Sequence, residues 1–156
     1  AKTAELFAAA TKVGAILSGM GTKEKEALEF YGRNLGLTFQ IADDTLDYNS
    51  ELKLFGKKIG NDFYEGKITL PIILLFQKAS YEEKDKLKKI FLNNNREERD
   101  LKYTLLLIKN YNIINKCYQK AHHYINLASN SLSVFNDCDE KNILENLTSF
   151  SISRDF

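Results

Sequence analysis

The 156-residue chain reads as an all-α protein. Three observations predict this. Apolar residues recur at steps of three and four, the spacing that lines one face of a helix. No stretch sustains the period-two alternation of a half-buried strand. A single proline, Pro71, interrupts the whole length, so long helices are permitted almost everywhere.

The elements follow in order. Residues 3–19 predict a helix whose buried stripe is Leu6, Phe7, Ala10, Val13, Ile16 and Leu17, ended by Gly19-Met20-Gly21. Thr22 is placed to cap the next helix, and Glu24 and Glu26 suit its first turn. That helix is predicted over 23–48. It buries Ala27, Tyr31, Leu35, Phe39 or Thr38, Ala42 and Leu46, and stops at Asn49-Ser50. Residues 50–66, with Gly56, Gly60 and Gly66, predict a loop. Leu70 to Lys78 predicts a short helix with Pro71 in its first turn, where the missing N–H has no helical partner to lose. Tyr81 to Leu92 is an amphipathic, charged helix, and Asn93-Asn94-Asn95 a polar connector. Leu101 to Lys109 and Ile113 to Leu132 are helical, and Asp139 caps a last helix over about 140–150. No internal repeat or boundary is visible, so residues 1–156 are read as one domain.

Composition narrows the function classes. Apolar residues make up 44%, enough for a packed core. A net charge of +1 argues against a nucleic-acid footprint. No apolar run reaches the length of a transmembrane helix. Cys117 and Cys138 lack metal-ligand spacing and read as free thiols in a reducing compartment. His122 and His123 are adjacent, cannot share a helix face, and read as structural or surface residues. The chain starts at Ala1 inside a predicted helix. It is therefore expected to be a fragment, with any targeting segment outside it and the compartment open between cytoplasm and an organelle such as the mitochondrion.

The most informative stretch is Asp43-Asp44-Thr45-Leu46-Asp47. Asp43 and Asp47 are four apart and share a helix face, and like charges at that spacing weaken a helix. Asp is a poor helix former away from the N-cap, and the C-terminal dipole disfavours negative charge. Every local rule is broken in the same direction, as at functional sites. A hard divalent cation reverses the sign of each term, and Mg2+ is held by one or two carboxylates together with waters and substrate phosphates. A calcium loop starting at Asp47 fails, because its turn glycine falls on Leu52 and its closing Glu on Lys58. The following run, Gly56-Lys57 through Gly60 to Gly66-Lys67, fails as a P-loop: five residues separate Gly60 from Gly66, and Ile68 follows Lys67. Lysines among glycines beside an acidic helix end nevertheless suit an anionic ligand.

These residues resemble a known family. Leu35-Gly36-Leu37-Thr38-Phe39-Gln40-Ile41-Ala42-Asp43-Asp44-Thr45-Leu46-Asp47-Tyr48 is similar to the second aspartate-rich motif of trans-polyprenyl diphosphate synthases. Gly56-Lys57, Gly60-Asn61-Asp62 and Glu65-Gly66-Lys67-Ile68-Thr69-Leu70-Pro71 resemble the loop that follows it in the long-chain, octaprenyl/decaprenyl-type branch. Lys2-Thr3-Ala4 with Leu6-Phe7 is similar to the family's Lys-Thr helix start, and Arg154 to the Arg that closes its last helix. The resemblance runs along the whole chain in order.

It implies an all-α, isoprenoid synthase-type helical bundle, usually homodimeric, of which this chain is the C-terminal part. It implies prenyl transfer from an allylic diphosphate to isopentenyl diphosphate with Mg2+ as cofactor. Asp43 resembles the direct metal ligand, with Asp44 and Asp47 supporting it. Lys2, Lys57 and Lys67 resemble lysines that hold the allylic diphosphate, with Lys2 and Lys57 the catalytic pair. Thr3 and Gln40 resemble polar contacts near it, and Phe39 the aromatic that faces the prenyl unit. Thr45 departs from the family's usual apolar residue. The first aspartate-rich motif is not in this sequence, so the chain alone is expected to be inactive. Two alternatives stand beside this reading. One is a non-catalytic partner subunit of a heteromeric prenyl synthase, which the intact second motif disfavours. The other is a terpene cyclase of related fold, which the lysine loop and the Lys2-Thr3 start disfavour.

Overall fold

The structure is a computed structural model. It describes residues 2–49 and 59–153, the last two of these by backbone alone. Lys57, Gly56, Ser50 and Arg154, which carry parts of the resemblance or of the predicted loop, lie outside the described residues. Among the described residues every regular element is helical: α1 (Lys2–Leu17), α2 (Thr22–Leu46), α3 (Asn61–Glu65), α4 (Leu70–Lys78), α5 (Tyr81–Leu92), α6 (Glu98–Asn110), α7 (Ile113–Ser131), a single 3-10 turn (Leu132–Val134) and α8 (Asp139–Ser153). No described helix is long and apolar enough to cross a membrane. The chain divides into two compact units, Ala1–Ala42 with Gln119–Phe156, and Asp43–Tyr118.

In the first unit α1 meets α2 through small residues. Ala4, Ala8 and Ala15 are buried. A Cβ added to Gly36 would lie 2.7 Å from the Ala4 Cα, and one added to Gly32 would lie 2.4 Å from the Phe7 carbonyl oxygen. The Thr11 hydroxyl donates to the Leu28 carbonyl at 2.5 Å. Backbones this close admit only small side chains. That overturns the predicted stripe of α1. Leu6 is 69% and Leu17 82% exposed, and Val13 and Ile16 are exposed as well. Phe7 of that stripe still packs inward, but Leu6, Val13, Ile16 and Leu17 point away because the alanines win the contact.

On α2 the predicted face is largely buried: Ala27, Tyr31, Leu35 and Ala42 are inside. Thr38, not Phe39, continues the stripe, its hydroxyl donating to Asn34 and Ala121 carbonyls. Leu46 is only half-buried, while Thr45 is fully inside. Tyr31 and Leu35 pack with Ala128 and Leu132, flanked by Phe7, Leu28, Phe135 and Leu144. Gly21, not Thr22, accepts the first helical bond of α2, from Lys25 N–H.

The second unit is built on Ile72, Leu75, Leu87, Leu107, Ile108, Ile113 and Cys117, all buried. Helix α5 opens with a reciprocal cap: Ser80 accepts from the Glu83 amide, and the Glu83 side chain accepts from Ser80 N–H. Residues 61–65, predicted as loop, are helix α3. Its bounds are two glycines in the left-handed region, Gly60 (φ 86°) and Gly66 (φ 73°). Phe63 anchors it, fully buried and edge-on to Phe91 with ring centres 5.4 Å apart. Two adjacent aromatics in five residues, of which only Phe63 is buried, give no periodicity, so the pattern does not reveal this helix.

Candidate functional site

The acidic run brackets the end of α2. Asp43 and Asp44 lie in its last turn, and Asp47 is the first residue beyond Leu46. There the chain tightens, with Tyr48 N–H bonding to Thr45 and Asn49 N–H to Leu46, each at 3.1 Å. The predicted helix therefore stops short of Asp47. Asp43 is exposed; Asp44 and Asp47 are half-buried.

Asp47 is fixed by the start of α3. Its Oδ1 accepts the Asn61 amide at 3.0 Å and its Oδ2 the Asp62 amide at 2.8 Å. Its main-chain carbonyl accepts Gly60 N–H at 2.8 Å. Two amide donors at a helix start suit a carboxylate. Burial still pushes the Asp47 carboxyl up, against those amides, with the Asp62 charge adding to the rise. The neighbouring Tyr48 is fully buried, and its hydroxyl has no hydrogen-bond partner among the described residues. Burial, then the Asp47 charge, keep its proton on.

Lys67 follows α3. Its Nζ bonds Asp62 at 2.9 Å and Glu65 at 2.8 Å. Those carboxylates, Glu65 first, raise its pKa. The ammonium is exposed, so both pairs are weak and exchangeable.

In the first unit Lys2 is exposed at the first position of α1. Thr3 beside it donates to Gln40 Oε1 at 3.0 Å, so two residues singled out separately in the sequence meet. Phe39 stacks on Phe7, centroids 6.1 Å apart. His122 and His123 are exposed, and among the described residues neither buried Cys117 nor exposed Cys138 forms a disulfide.

Among the described residues no three Asp, Glu, His or Cys side chains form a metal-holding cluster. The donor types fit Mg2+, which takes hard oxygens: Asp43 is an exposed carboxylate and Asp44, next to it in sequence, a half-buried one. Asp47 keeps a further lone pair on each oxygen beyond the amide bonds it accepts.

The contribution of Arg96 escapes sequence reading. Arg96 stands 32 residues from Tyr64, whose carbonyl it binds, and no local pattern links them.

Among the described residues the chain is an all-α helical bundle, with an acidic run at the end of α2 and a short α3 bounded by two glycines. The comparisons specify it. The family described as Polyprenyl synthetase matches residues 1–108, and the chain belongs to that family. It is 36% identical over 154 residues to the short chain isoprenyl diphosphate synthase of Methanothermobacter thermautotrophicus, covering 99% of this chain and 47% of that protein. It is 31% identical to the geranyl-diphosphate-specific all-trans-nonaprenyl-diphosphate synthase of Rhodobacter capsulatus, covering 98% of this chain and 46% of that one. Among solved structures, it is similar to a polyprenyl synthase from Caulobacter crescentus complexed with calcium and isoprenyl diphosphate. The TM-score is 0.89 at 38% identity, covering 100% of this chain and 48% of that one. The helical-bundle fold is that of the family. The chain spans about half the length of the curated relatives it matches.

Proposed function

We propose that this chain supplies part of the active site of a trans-polyprenyl diphosphate synthase, which joins isopentenyl diphosphate to an allylic diphosphate. The C–O bond of the allylic diphosphate breaks, and the diphosphate leaves with the electron pair. The double bond of isopentenyl diphosphate attacks the allylic carbon, and loss of a proton gives a diphosphate one isoprene unit longer. Bound Mg2+ would neutralise charge on the departing diphosphate. Asp43 and Asp44 would hold it, with Asp47 in support. Lys2, Lys57 and Lys67 would add positive charge toward the same group, Lys67 by exchanging Asp62 and Glu65 for phosphate oxygens. Thr3 and Gln40 would orient the substrate, and Phe39 would face the prenyl chain. The first aspartate-rich motif is expected from the half of the relatives' length that this chain does not span. A homodimer of the complete enzyme belongs to this reading.

The observation that carries it is the end of α2. There Asp43 is left exposed with Asp44 beside it, while Asp47 is anchored on α3. The test is incorporation of isopentenyl diphosphate by the complete protein. Asp43→Ala is expected to lower turnover by about a hundredfold or more, the loss seen when one group that stabilises transition-state charge is removed. Full Mg2+-dependent turnover in that variant would sink the assignment.

A further inference from the structure

Helix α3 is too short to stand by its own hydrogen bonds, since five residues barely repay one nucleated turn. It must be held at both ends. Asp47 holds the front. At the back, Gly66 N–H bonds the Phe63 carbonyl at 3.0 Å and Lys67 N–H bonds the Asp62 carbonyl at 2.9 Å. The Tyr64 carbonyl is left over, and Arg96 Nη1 donates to it at 3.1 Å. The other arm, Nη2, donates to the Phe91 carbonyl at 2.7 Å, in the last turn of α5. One guanidinium thus closes the C-terminal ends of two helices, where a cation is favoured. Its Nε is buried with no hydrogen-bond partner among the described residues, so its hydrogen-bonded hold rests on these two arms. The guanidinium also fills the space beside Gly66: a Cβ there would lie 2.5 Å from Nη2. Gly66 is therefore demanded twice, by its backbone angle and by Arg96.

We infer that Arg96 is a positioning residue. It fixes α3 in the register that keeps the Asn61 and Asp62 amides on Asp47 and sets Lys67 at the turn. The inference rests on the reading of Asp47 and Lys67 given above. It extends that reading to a residue that touches neither metal nor substrate. Loss of the fork frees the back of α3, and the front then exchanges between bonded and unbonded states.

The test uses the complete protein with Arg96→Met, and Arg96→Lys as the variant that keeps charge and loses the planar fork. Hydrogen exchange of the peptide containing Asn61 and Asp62 is expected to speed up about tenfold, while α7 peptides stay unchanged. The KM for the allylic diphosphate and the half-saturating Mg2+ concentration are expected to rise about tenfold, with the KM for isopentenyl diphosphate unchanged. Arg96→Lys should restore less than half of this loss. Unchanged exchange at Asn61 and Asp62 in both variants overturns the inference. So does faster exchange with unaltered allylic KM and Mg2+ dependence, which marks a purely structural role. If Arg96→Met does not fold, the Arg96→Lys measurements decide. A wild-type enzyme that transfers no prenyl group would overturn the functional reading instead, and the exchange measurement would still decide whether Arg96 holds α3.

Discussion

Tyr31 shows how one buried group ties stability to pH. Its side chain is 1% exposed, and its hydroxyl donates to the Leu144 carbonyl at 2.7 Å. Burial pushes the phenol from its ordinary 10.0 up to about 12. The fold therefore favours the protonated form. The stabilising contribution is fully present below the unfolded-state value and is lost as pH rises through the folded-state value. Urea unfolding of the wild type should thus show an alkaline loss of stability between pH 10.0 and about 12. Tyr31→Phe should remove that part of the loss and cost about 1 kcal/mol at neutral pH, the value of one hydrogen bond. An unchanged alkaline slope in the variant would place the titrating group elsewhere. The acidic run shows the same physics read the other way. Asp43, Asp44 and Asp47 stand out in the sequence because each local term there is unfavourable. The structure adds that Asp47 is compensated by the amides of α3, whereas exposed Asp43 is not.

Among the elements, the contact of α1 with α2 gives two glycines opposite fates. Gly14 is exposed on α1, with nothing within 4 Å of an added Cβ. Gly14→Ala should stabilise by about 0.5–1 kcal/mol through helix propensity. At Gly36 the same methyl meets the Ala4 backbone, so Gly36→Ala should destabilise by about 1–3 kcal/mol as an overpacking change. Thermal unfolding of both variants checks the pair, and equal shifts would mean that α1 does not approach α2 as described. This contact also marks the limit of what periodicity can show. Helices α4 and α5 have the bounds their patterns predict, with Pro71 in the first turn of α4 and a capping box opening α5. The spacing of α1 identifies a helix and chooses its wrong face. Counting large apolar residues cannot register that two glycines on another helix invite alanines. The site divides in the same way. Asp43 stands out by its local pattern, Thr3 and Gln40 are named through the resemblance, and the hydrogen bond between those two is added by the structure. Arg96 and α3 are not legible, because their bonds join distant segments and leave no local trace.

At the scale of the whole chain, exposed apolar rows meet the comparison of lengths. The chain spans 47% of one relative and 46% of another. In the first unit, α1 exposes Leu6, Val13, Ile16 and Leu17, and α8 exposes Ile143, Leu147 and Phe150. The α8 residues fall at i, i+4 and i+7, one face of a helix. Single exposed leucines are ordinary, but rows at helical spacing on two helices of one unit are not scattered residues. In water such rows drive association at protein concentrations in the micromolar range. The isolated 156-residue chain is therefore expected to sediment above monomer mass, increasingly so as concentration rises, and to bind a hydrophobic dye. Leu6→Glu with Leu17→Glu should shift it toward monomer and lower dye binding with helical content unchanged, since both side chains already face solvent and contribute little to the fold. Ile143→Glu should act in the same direction through α8. Wild-type chain that stays monomeric and dye-free across that range would show that water covers these rows without penalty. Association unchanged by all three charges would place the contact on another surface.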